Sequence, residues 1–369
     1  MLINKQIDKT YQKLKNSPTF TSWVSIFVRT GNTILVLPLI LSTYEKYEVN
    51  AFLLLSVIFS LKDILDFGFL NNISRFYSYS LGGSTSFRKL RESNSNNFQN
   101  KKLINALLSF SNKLYNVLAL IAFVMFTILG TIFILKPFSF FENQTLIYLT
   151  WSFQVFVISF WIFGNKYSTL LIGFNKIALL KRWDAIFTSF QVISMSLLVL
   201  LNFKIEIIII TLNVWNLLIV IRNWYLYRIT IKSESIEINT NKKLEGYVLN
   251  TLSPLAKREF LSGVMGFGLF QFLNIFYANI LSPSSSASYL LTMKIGDQIK
   301  HIARAPFYSK IPFFSKLFIV DRKRLYKEIK FSQMLSYTSL LLVIFLVYFF
   351  ADVGLKLINS DTAFVENKL

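Results

Sequence analysis

Runs of about 20 predominantly apolar residues recur along the chain and are separated by short polar segments. A helix rises about 1.5 Å per residue, so about 20 residues cross the roughly 30 Å hydrocarbon layer of a bilayer. Backbone groups inside that layer must be satisfied within the segment, which favours α-helices. We therefore predict an all-α polytopic membrane protein with nine spans, at about 20–42, 50–71, 105–135, 145–165, 184–203, 206–227, 258–281, 287–308 and 333–358.

The composition supports a membrane location over a soluble one. Of the 369 residues, 53% are hydrophobic and only 16% are charged, which is too apolar for an ordinary soluble domain. The net charge of +20 would suit a nucleic-acid-binding protein, but the basic residues lie between the apolar runs and not on one soluble face. We therefore expect no nucleic acid partner.

The basic residues alternate with the spans and so predict an orientation. Most of the 39 lysines and arginines lie in the segments 1–19, 72–104, 166–183, 222–257 and 309–332. The alternating loops hold only Lys46, Lys136 and Lys204. By the positive-inside rule, the N-terminus is cytoplasmic. With nine spans the chain then ends on the outer side, which we interpret as a truncated C-terminus.

The first 19 residues carry apolar side chains at helical spacing, namely Ile3, Ile7, Tyr11 and Leu14, with four lysines elsewhere. This pattern predicts a short amphipathic helix that lies on the inner leaflet and is held by anionic membrane lipids. A disordered basic tail is the alternative.

Spans 1 and 2 contain polar residues at membrane depth. Ser22, Ser25, Arg29 and Asn32 share one face of span 1. In span 2, Lys62 and Asp66 are spaced i, i+4, so we expect them to pair and neutralise each other. Asp63 then remains as an additional carboxylate. Each of these charges would cost about 2.5–3.5 kcal/mol at the bilayer centre, so a function for them is expected.

Span 8 has the highest density of charge. Lys294, Asp297, His301 and Arg304 follow one another at helical spacing, with Lys300 beside them. Such a stripe must face a bundle interior or a watery cavity. A surplus of cations there suits an anionic ligand such as phosphate or pyrophosphate. The alternatives are inter-turn ion pairs that only permit insertion, snorkelling of Arg304, and a structural His301.

Span 7 combines small and polar residues. Gly263, Gly266 and Gly268 form a small-residue face, and Gln271 and Asn274 continue a polar one. Close helix packing and a bending point are both consistent with this pattern.

Spans 7 and 8 repeat the layout of spans 1 and 2 at an offset of about 231–240 residues. In both pairs a short polar outer loop follows "LS" or "ILS", and an aromatic "FYS" segment precedes a basic one. Parallel repeats of this kind are typical of transporters. We predict two pseudo-symmetric lobes around a central cavity: a cytoplasmic segment 1–19, a six-span lobe 20–230, a cytoplasmic linker 231–257, and an incomplete three-span lobe 258–369.

The segment "LDFGFLNNISRFYSYSLGG" resembles the span-2 signature of bacterial O-antigen and polysaccharide flippases, which belong to the multidrug/oligosaccharidyl-lipid/polysaccharide exporter superfamily. The matching elements are Asp66-Phe67-Gly68, Arg75, the aromatic residues Tyr77 and Tyr79, and Gly82-Gly83. The likeness is sharpest over about 20–135 and rests mainly on topology beyond. Family members usually have twelve to fourteen spans, against nine predicted here.

The resemblance implies a transporter of the bacterial cytoplasmic (inner) membrane, without enzymatic activity, cofactor or metal. It would move an undecaprenyl-pyrophosphate-linked oligosaccharide, an O-antigen or capsule repeat unit, by alternating access coupled to a proton or sodium gradient. Other polysaccharide-assembly proteins would be partners, and Arg75 would be an interfacial anchor. The residues expected in the substrate and ion cavity are Arg29, Asn32, Lys62, Asp63, Asp66, Gln271, Asn274, Lys294, Asp297, Lys300, His301 and Arg304.

Three other functions remain open. A multidrug exporter of the same superfamily would favour cationic drugs, whereas the assigned cavity spans carry five cations against three carboxylates. A polymerase, ligase or lipid-dependent glycosyltransferase would need a catalytic domain or loop, but the predicted outer loops are short and contain no acid/base pair. A non-transporting scaffold is the third alternative.

Overall fold

The computed structural model describes residues 18–66, 68–81, 100–234, 242–308, 310, 314 and 322–357. Among these residues every regular element is helical. The elements are α1 (Pro18–Gly31), a π-helical segment (Asn32–Val36), α2 (Leu37–Thr43), α3 (Lys46–Ser60), α4 (Lys62–Leu65), α5 (Phe69–Leu81), α6 (Lys101–Met125), a π-helical segment (Phe126–Gly130), α7 (Thr131–Phe138), α8 (Gln144–Gly173), α9 (Ile177–Leu200), α10 (Ile205–Ser233), α11 (Lys242–Gly263), a π-helical segment (Val264–Gly268), α12 (Leu269–Ile280), α13 (Pro283–Tyr308) and α14 (Arg322–Leu357).

The helices coincide with the predicted spans. Within the described residues, six stretches are long and apolar enough to cross a membrane: Lys101–Phe138, Gln144–Gly173, Ile177–Leu200, Ile205–Ser233, Lys243–Ile280 and Arg322–Phe350. The predicted spans 1, 2 and 8 are also helical, and they are the three that carry most of the candidate charges. The protein is therefore an all-α polytopic membrane protein, and the count of nine spans stays a prediction.

Asparagine side chains begin two of the long helices. The N–H of Leu103 donates to Asn100 Oδ1 at 3.2 Å, and the N–H of Leu146 donates to Asn143 Oδ1 at 3.0 Å. The first N–H groups of a helix have no intrahelical partner, so these side chains satisfy donors that apolar residues would leave open. Asn100 and Asn143 therefore define where α6 and α8 start.

The described residues form two compact units that do not follow chain order. The first unit comprises the described residues of Met1–Leu53, Lys181–Ile208 and Leu281–Leu369, and the second those of Leu54–Leu180 and Ile209–Ile280. The predicted lobes, 20–230 and 258–369, stay predictions. The predicted linker 231–257 is helical in most of its described part, because α10 continues to Ser233 and α11 begins at Lys242. The predicted amphipathic helix, except at its last two positions, lies outside the described residues.

The second unit is built on close packing of α5, α6, α8 and α11. A Cβ on Gly173 would lie 2.8 Å from the carbonyl oxygen of Ser74, so only glycine permits this approach of α8 to α5. The hydroxyl of Ser78 donates to the Gly173 carbonyl at 2.9 Å across the same contact. On α11, Glu245 accepts hydrogen bonds from Ser109 and from Lys113, the latter at 2.6 Å.

In the first unit, two polar contacts join the predicted outer ends of helices. The hydroxyl of Tyr44 donates to the carbonyl of Phe203. Burial, assisted by the charges of Glu48 and Glu206, raises the pKa of Tyr44 to about 12, so this phenol remains a protonated donor at neutral pH. Nearby, the Ser286 hydroxyl donates to Asn50 Oδ1 at 2.6 Å, with both side chains buried.

Two of the π-helical segments lie in spans that the predicted repeat pairs. One interrupts span 1 at Asn32–Val36 and the other interrupts span 7 at Val264–Gly268. The "ILS" ends of these spans, at 40–42 and 280–282, are 240 positions apart, whereas the first residues of the two segments, 32 and 264, are 232 positions apart. The two interruptions therefore lie about two helical turns apart within the paired spans. A wide turn of this kind bends a helix and is frequent at functional sites.

Candidate functional site

The charged part of predicted span 2 is a break in the helix. Helix α3 ends at Ser60, α4 is four residues long, and Gly68 adopts a left-handed φ of +69°. A Cβ on Gly68 would lie 2.7 Å from the Cβ of Glu259 on α11, so the position needs glycine for both conformation and space. The N–H of Leu70 donates to Asp66 Oδ2 at 2.8 Å, which restarts the helix as α5. The Asp66–Gly68 element therefore has a local structural role.

The carboxylate of Asp66 is buried among neutral polar groups. Its residue is only 6% exposed, and its Oδ1 accepts a hydrogen bond of 3.0 Å from the Asn165 amide. The Tyr115 hydroxyl lies beside the same carboxylate. Among the described residues, no cation lies within ion-pairing distance of Asp66. An ionised carboxylate buried without a cation is costly, so the site would stabilise a proton or another cation bound to Asp66.

The predicted pair between Lys62 and Asp66 is wrong. Lys62 Nζ lies 3.3 Å from Asp63 Oδ1, and the same ammonium sits over the Phe59 ring at 4.4 Å. Lys62 and Asp66 share one right-handed turn, but the Asp66 carboxylate accepts from Leu70 and Asn165, whereas the Lys62 ammonium contacts Asp63 and the Phe59 ring. Lys62 is buried while the Asp63 side chain is 67% exposed, so the pair lies at the edge of the second unit.

Other polar side chains of the second unit are also buried, and the predicted site did not include them. The hydroxyls of Tyr77 and Ser111 are 3.3 Å apart in the core. Lys166, also buried, has its Nζ 3.4 Å from Asn116 Oδ1 and 3.5 Å from the centre of the Phe163 ring. The available signal was the "GNK" triplet within the apolar α8, where the predicted end of span 4 falls between Asn165 and Lys166.

The side-chain amides of Gln271 and Asn274 form a hydrogen bond with each other. Asn274 Nδ2 donates to Gln271 Oε1 at 3.0 Å, and both residues are buried in the second unit. The remaining oxygen, Asn274 Oδ1, is buried without a hydrogen-bond partner among the described residues. This atom is an acceptor available to a donor that the chain itself does not supply.

The glycines of span 7 lie at a bend. No described atom lies within 4 Å of a Cβ built on Gly263 or Gly266, so neither supports a close helix contact. A Cβ on Gly268 would meet the side chain of Ile64 at 3.4 Å and, within its own segment, the carbonyl oxygen of Gly263 at 3.6 Å and Val264 Cβ at 3.7 Å. Gly266 and Gly268 belong to the π-helical segment, which favours a bending point over close packing.

In the first unit, α1 and α13 bring several candidate charges together. Asp297 Oδ1 lies 3.4 Å from Lys300 Nζ, and the charges of Asp297, Lys300 and Arg304 act on the imidazole of His301 together with that of Arg29 from α1. In the sequence of α13, Asp297 thus stands between Lys294 and Lys300, and its carboxylate contacts Lys300.

Asn32 marks the start of the π-helical segment in span 1. Its Oδ1 atom is buried without a hydrogen-bond partner among the described residues, whereas Arg29, one turn earlier, is exposed. Both residues belong to the first unit, as do the charges of α13. On α5 in the second unit, Arg75 is exposed near the end that is predicted to be cytoplasmic, as an interfacial residue would be.

The candidate residues thus fall into two groups. The first unit holds Arg29, Asn32, Lys294, Asp297, Lys300, His301 and Arg304, and the second holds Lys62, Asp63, Asp66, Gln271 and Asn274. Each group is assembled within its own unit. A single cavity lined by both groups stays a prediction.

Comparison of the chain with models of known protein families, with curated proteins and with solved structures found no match. The resemblance to the flippases therefore rests on the quoted residues of span 2 and on the predicted topology. Two of those residues have a physical role in the structure: Asp66 accepts a hydrogen bond where the helix restarts, and Gly68 adopts a left-handed conformation.

Proposed function

We propose that the chain is a flippase of the bacterial cytoplasmic membrane that moves a lipid-linked oligosaccharide from the inner to the outer leaflet. Its substrate class would be an oligosaccharide carried on undecaprenyl pyrophosphate. The membrane-spanning helices and the resemblance in span 2 support this proposal. Movement by alternating access would use the bends of spans 1 and 7, where the π-helical segments lie.

The observation that carries the proposal is the charge assembled within spans 1 and 8. Eleven consecutive positions of α13 (294–304) include five titratable residues: Lys294, Asp297, Lys300, His301 and Arg304. Charges at membrane depth are costly, and they are kept where they contact a substrate, an ion or a watery path. The cations exceed the single carboxylate of this group, and an anionic pyrophosphate would neutralise the excess. We assign Arg29 and Lys294 to contacts with that group.

Asp66 is the best candidate for the coupling ion. A buried carboxylate with neutral partners can bind a proton or a sodium ion and release it without breaking an ion pair within the protein. Asn165 holds the carboxylate in place at 3.0 Å in either state. Asp63 and Asp297 already contact lysines, so they are poorer candidates for this role.

Complementation of a bacterial strain that lacks its polysaccharide flippase tests the proposal. We expect Arg29→Ala and Lys294→Ala each to lower export about tenfold or more, because loss of one charge-assisted contact costs about 1.5–3 kcal/mol and about 1.4 kcal/mol is a factor of ten. Surface polysaccharide would be measured at matched amounts of protein in the membrane. Arg258→Ala is the matched control, since it removes an exposed arginine of α11 that lies outside both groups and outside the span-2 signature.

Wild-type export by both variants would overturn the assignment of Arg29 and Lys294. Failure of the wild-type chain to restore any export would count against the flippase itself. Resistance to cationic drugs conferred by the wild-type chain would instead favour a multidrug exporter.

A further inference from the structure

Helices α13 and α14 of the first unit enclose a cleft of about 420 Å³. This volume lies within the range of about 300–1,000 Å³ that is typical of small-molecule sites. One wall is α13 from Gly296 to Tyr308, and the other is α14 from Gln333 to Leu340. The cleft is therefore about 18 Å long along α13, since twelve residues separate its ends.

The interior of the cleft is apolar and its edge is cationic. Ile299, Ala303 and Phe307 of α13 face Leu340 of α14 in the apolar part. Lys300 and Arg304 of α13 contribute the two charges, and both have the same sign. Apolar walls with cations at one edge match an anionic amphiphile: a hydrocarbon chain inside and a phosphate at the edge.

Two details indicate room for a ligand. The side-chain oxygen of Ser336, in the wall of the cleft, is buried without a hydrogen-bond partner among the described residues. No described atom lies within 4 Å of a Cβ built on Gly296, so the cleft is open at this position. A buried hydroxyl without a partner is unusual and is satisfied when a ligand supplies an acceptor or donor.

The cleft belongs to the inner leaflet and to the lipid-facing side of α14. Tyr308 ends α13 and Arg322 begins α14 on the side that the positive-inside rule assigns to the cytoplasm. None of the most apolar 18-residue stretch of α14 is buried. The first turns of α14 carry Arg322, Lys323, Arg324, Lys327 and Lys330 against one acidic residue. Basic residues at this position attract anionic lipids, by about 1 kcal/mol each.

We propose that this cleft binds an anionic phospholipid of the inner leaflet, with one acyl chain between α13 and α14 and the phosphate on Arg304 and Lys300. Tyr308, mostly exposed, lines the cleft at the end of α13, where aromatic side chains meet head groups. The lipid would hold α14 against α13 and so stabilise the first unit. The proposal assigns Lys300 and Arg304 to a membrane phospholipid, whereas the contacts proposed for transport are Arg29 and Lys294; its readout is binding, so the two proposals can fail separately.

The test is photolabelling of the full-length protein in nanodiscs of phosphatidylcholine that contain a trace of phosphatidylglycerol with a photoreactive acyl chain. We expect labelled peptides from 296–308 and 333–340. Gly296→Leu fills the cleft and should lower this labelling at least tenfold. Gly263→Leu is the matched control, because Gly263 is also surrounded by open space but lies in the second unit. Arg304→Gln should lower labelling about tenfold, the equivalent of about 1.4 kcal/mol, while Arg75→Gln should not.

Three results would overturn the proposal. Unchanged labelling in both Gly296→Leu and Arg304→Gln would show that the lipid binds elsewhere. Equal labelling of the two peptides by photoreactive phosphatidylcholine would exclude selection for a negative head group. Displacement by undecaprenyl phosphate, but not by unlabelled phosphatidylglycerol, would assign the cleft to the sugar carrier. If Gly296→Leu does not fold, Arg304→Gln decides the outcome alone.

Discussion

Replacing Asp66 with asparagine is expected to abolish polysaccharide export while leaving the protein folded. Asparagine is as good a helix N-cap as aspartate, so it can still accept the hydrogen bond from the Leu70 N–H. It cannot take up and release a proton, and it binds sodium more weakly because it carries no charge. Coupling through this residue would therefore fail. Export would be measured by complementation, and folding by thermal unfolding of the purified protein.

Asp66→Ala separates the structural role from the proposed coupling role. It removes the helix cap, worth about 0.5–2 kcal/mol, and leaves the buried Asn165 amide without its acceptor, at about 1–3 kcal/mol. We expect the free energy of unfolding to fall by about 2–4 kcal/mol for alanine and by less than about 1 kcal/mol for asparagine. Full export by Asp66→Asn would show that Asp66 only holds the helix break together.

Gly68→Ala is expected to lower the free energy of unfolding by about 2–4 kcal/mol. A left-handed conformation costs a residue with a Cβ about 1–2 kcal/mol, and Gly68 has a φ of +69°. The new methyl group would also lie 2.7 Å from Glu259 Cβ and 2.9 Å from Glu259 Cδ, so α11 must move or the side chain must rotate. Thermal and denaturant unfolding in detergent would measure the loss.

Two variants make this prediction specific. Gly246→Ala adds the same methyl group to a helical glycine with open space around it, and we expect it to stabilise α11 by about 0.5–1 kcal/mol. Glu259→Ala in the Gly68→Ala background removes the contact with Glu259 Cδ but keeps the one with its Cβ, so it should recover only part of the stability, and not the part due to conformation. Equal effects of Gly68→Ala and Gly246→Ala would contradict the left-handed conformation.

The positions of the helices could be predicted because bilayer thickness imposes a length on every apolar run. The break at Asp66–Gly68 could not, because the apolar pattern continues through it on both sides. Its signal was an aspartate two residues before a glycine: the glycine allows the left-handed turn, and the aspartate accepts a hydrogen bond from the first turn of the next helix. The partner of Lys62 was wrong because Asp66 is taken up by Leu70 and by Asn165 of a distant helix.

The polar residues of the second unit illustrate a different limit of prediction from sequence. Gln271 and Asn274 were found because a polar pair at i, i+3 stands out in an apolar helix, and they do contact each other. Asn165 was missed because its partner, Asp66, is 99 positions away. Contacts between distant helices depend on tertiary packing, and no local spacing encodes them. The cleft between α13 and α14 could not be predicted either, because the sequence of neither helix alone indicates a cavity.

The π-helical segments of spans 1 and 7 bear on the history of the chain. Such a segment arises when one residue is inserted into an α-helix, which widens one turn and rotates everything beyond it by roughly 100°. If the two predicted halves arose by duplication, insertions about two turns apart in the paired spans are younger than the duplication itself. Each half would then have acquired its bend separately, and the two spans would bend at different points along their length.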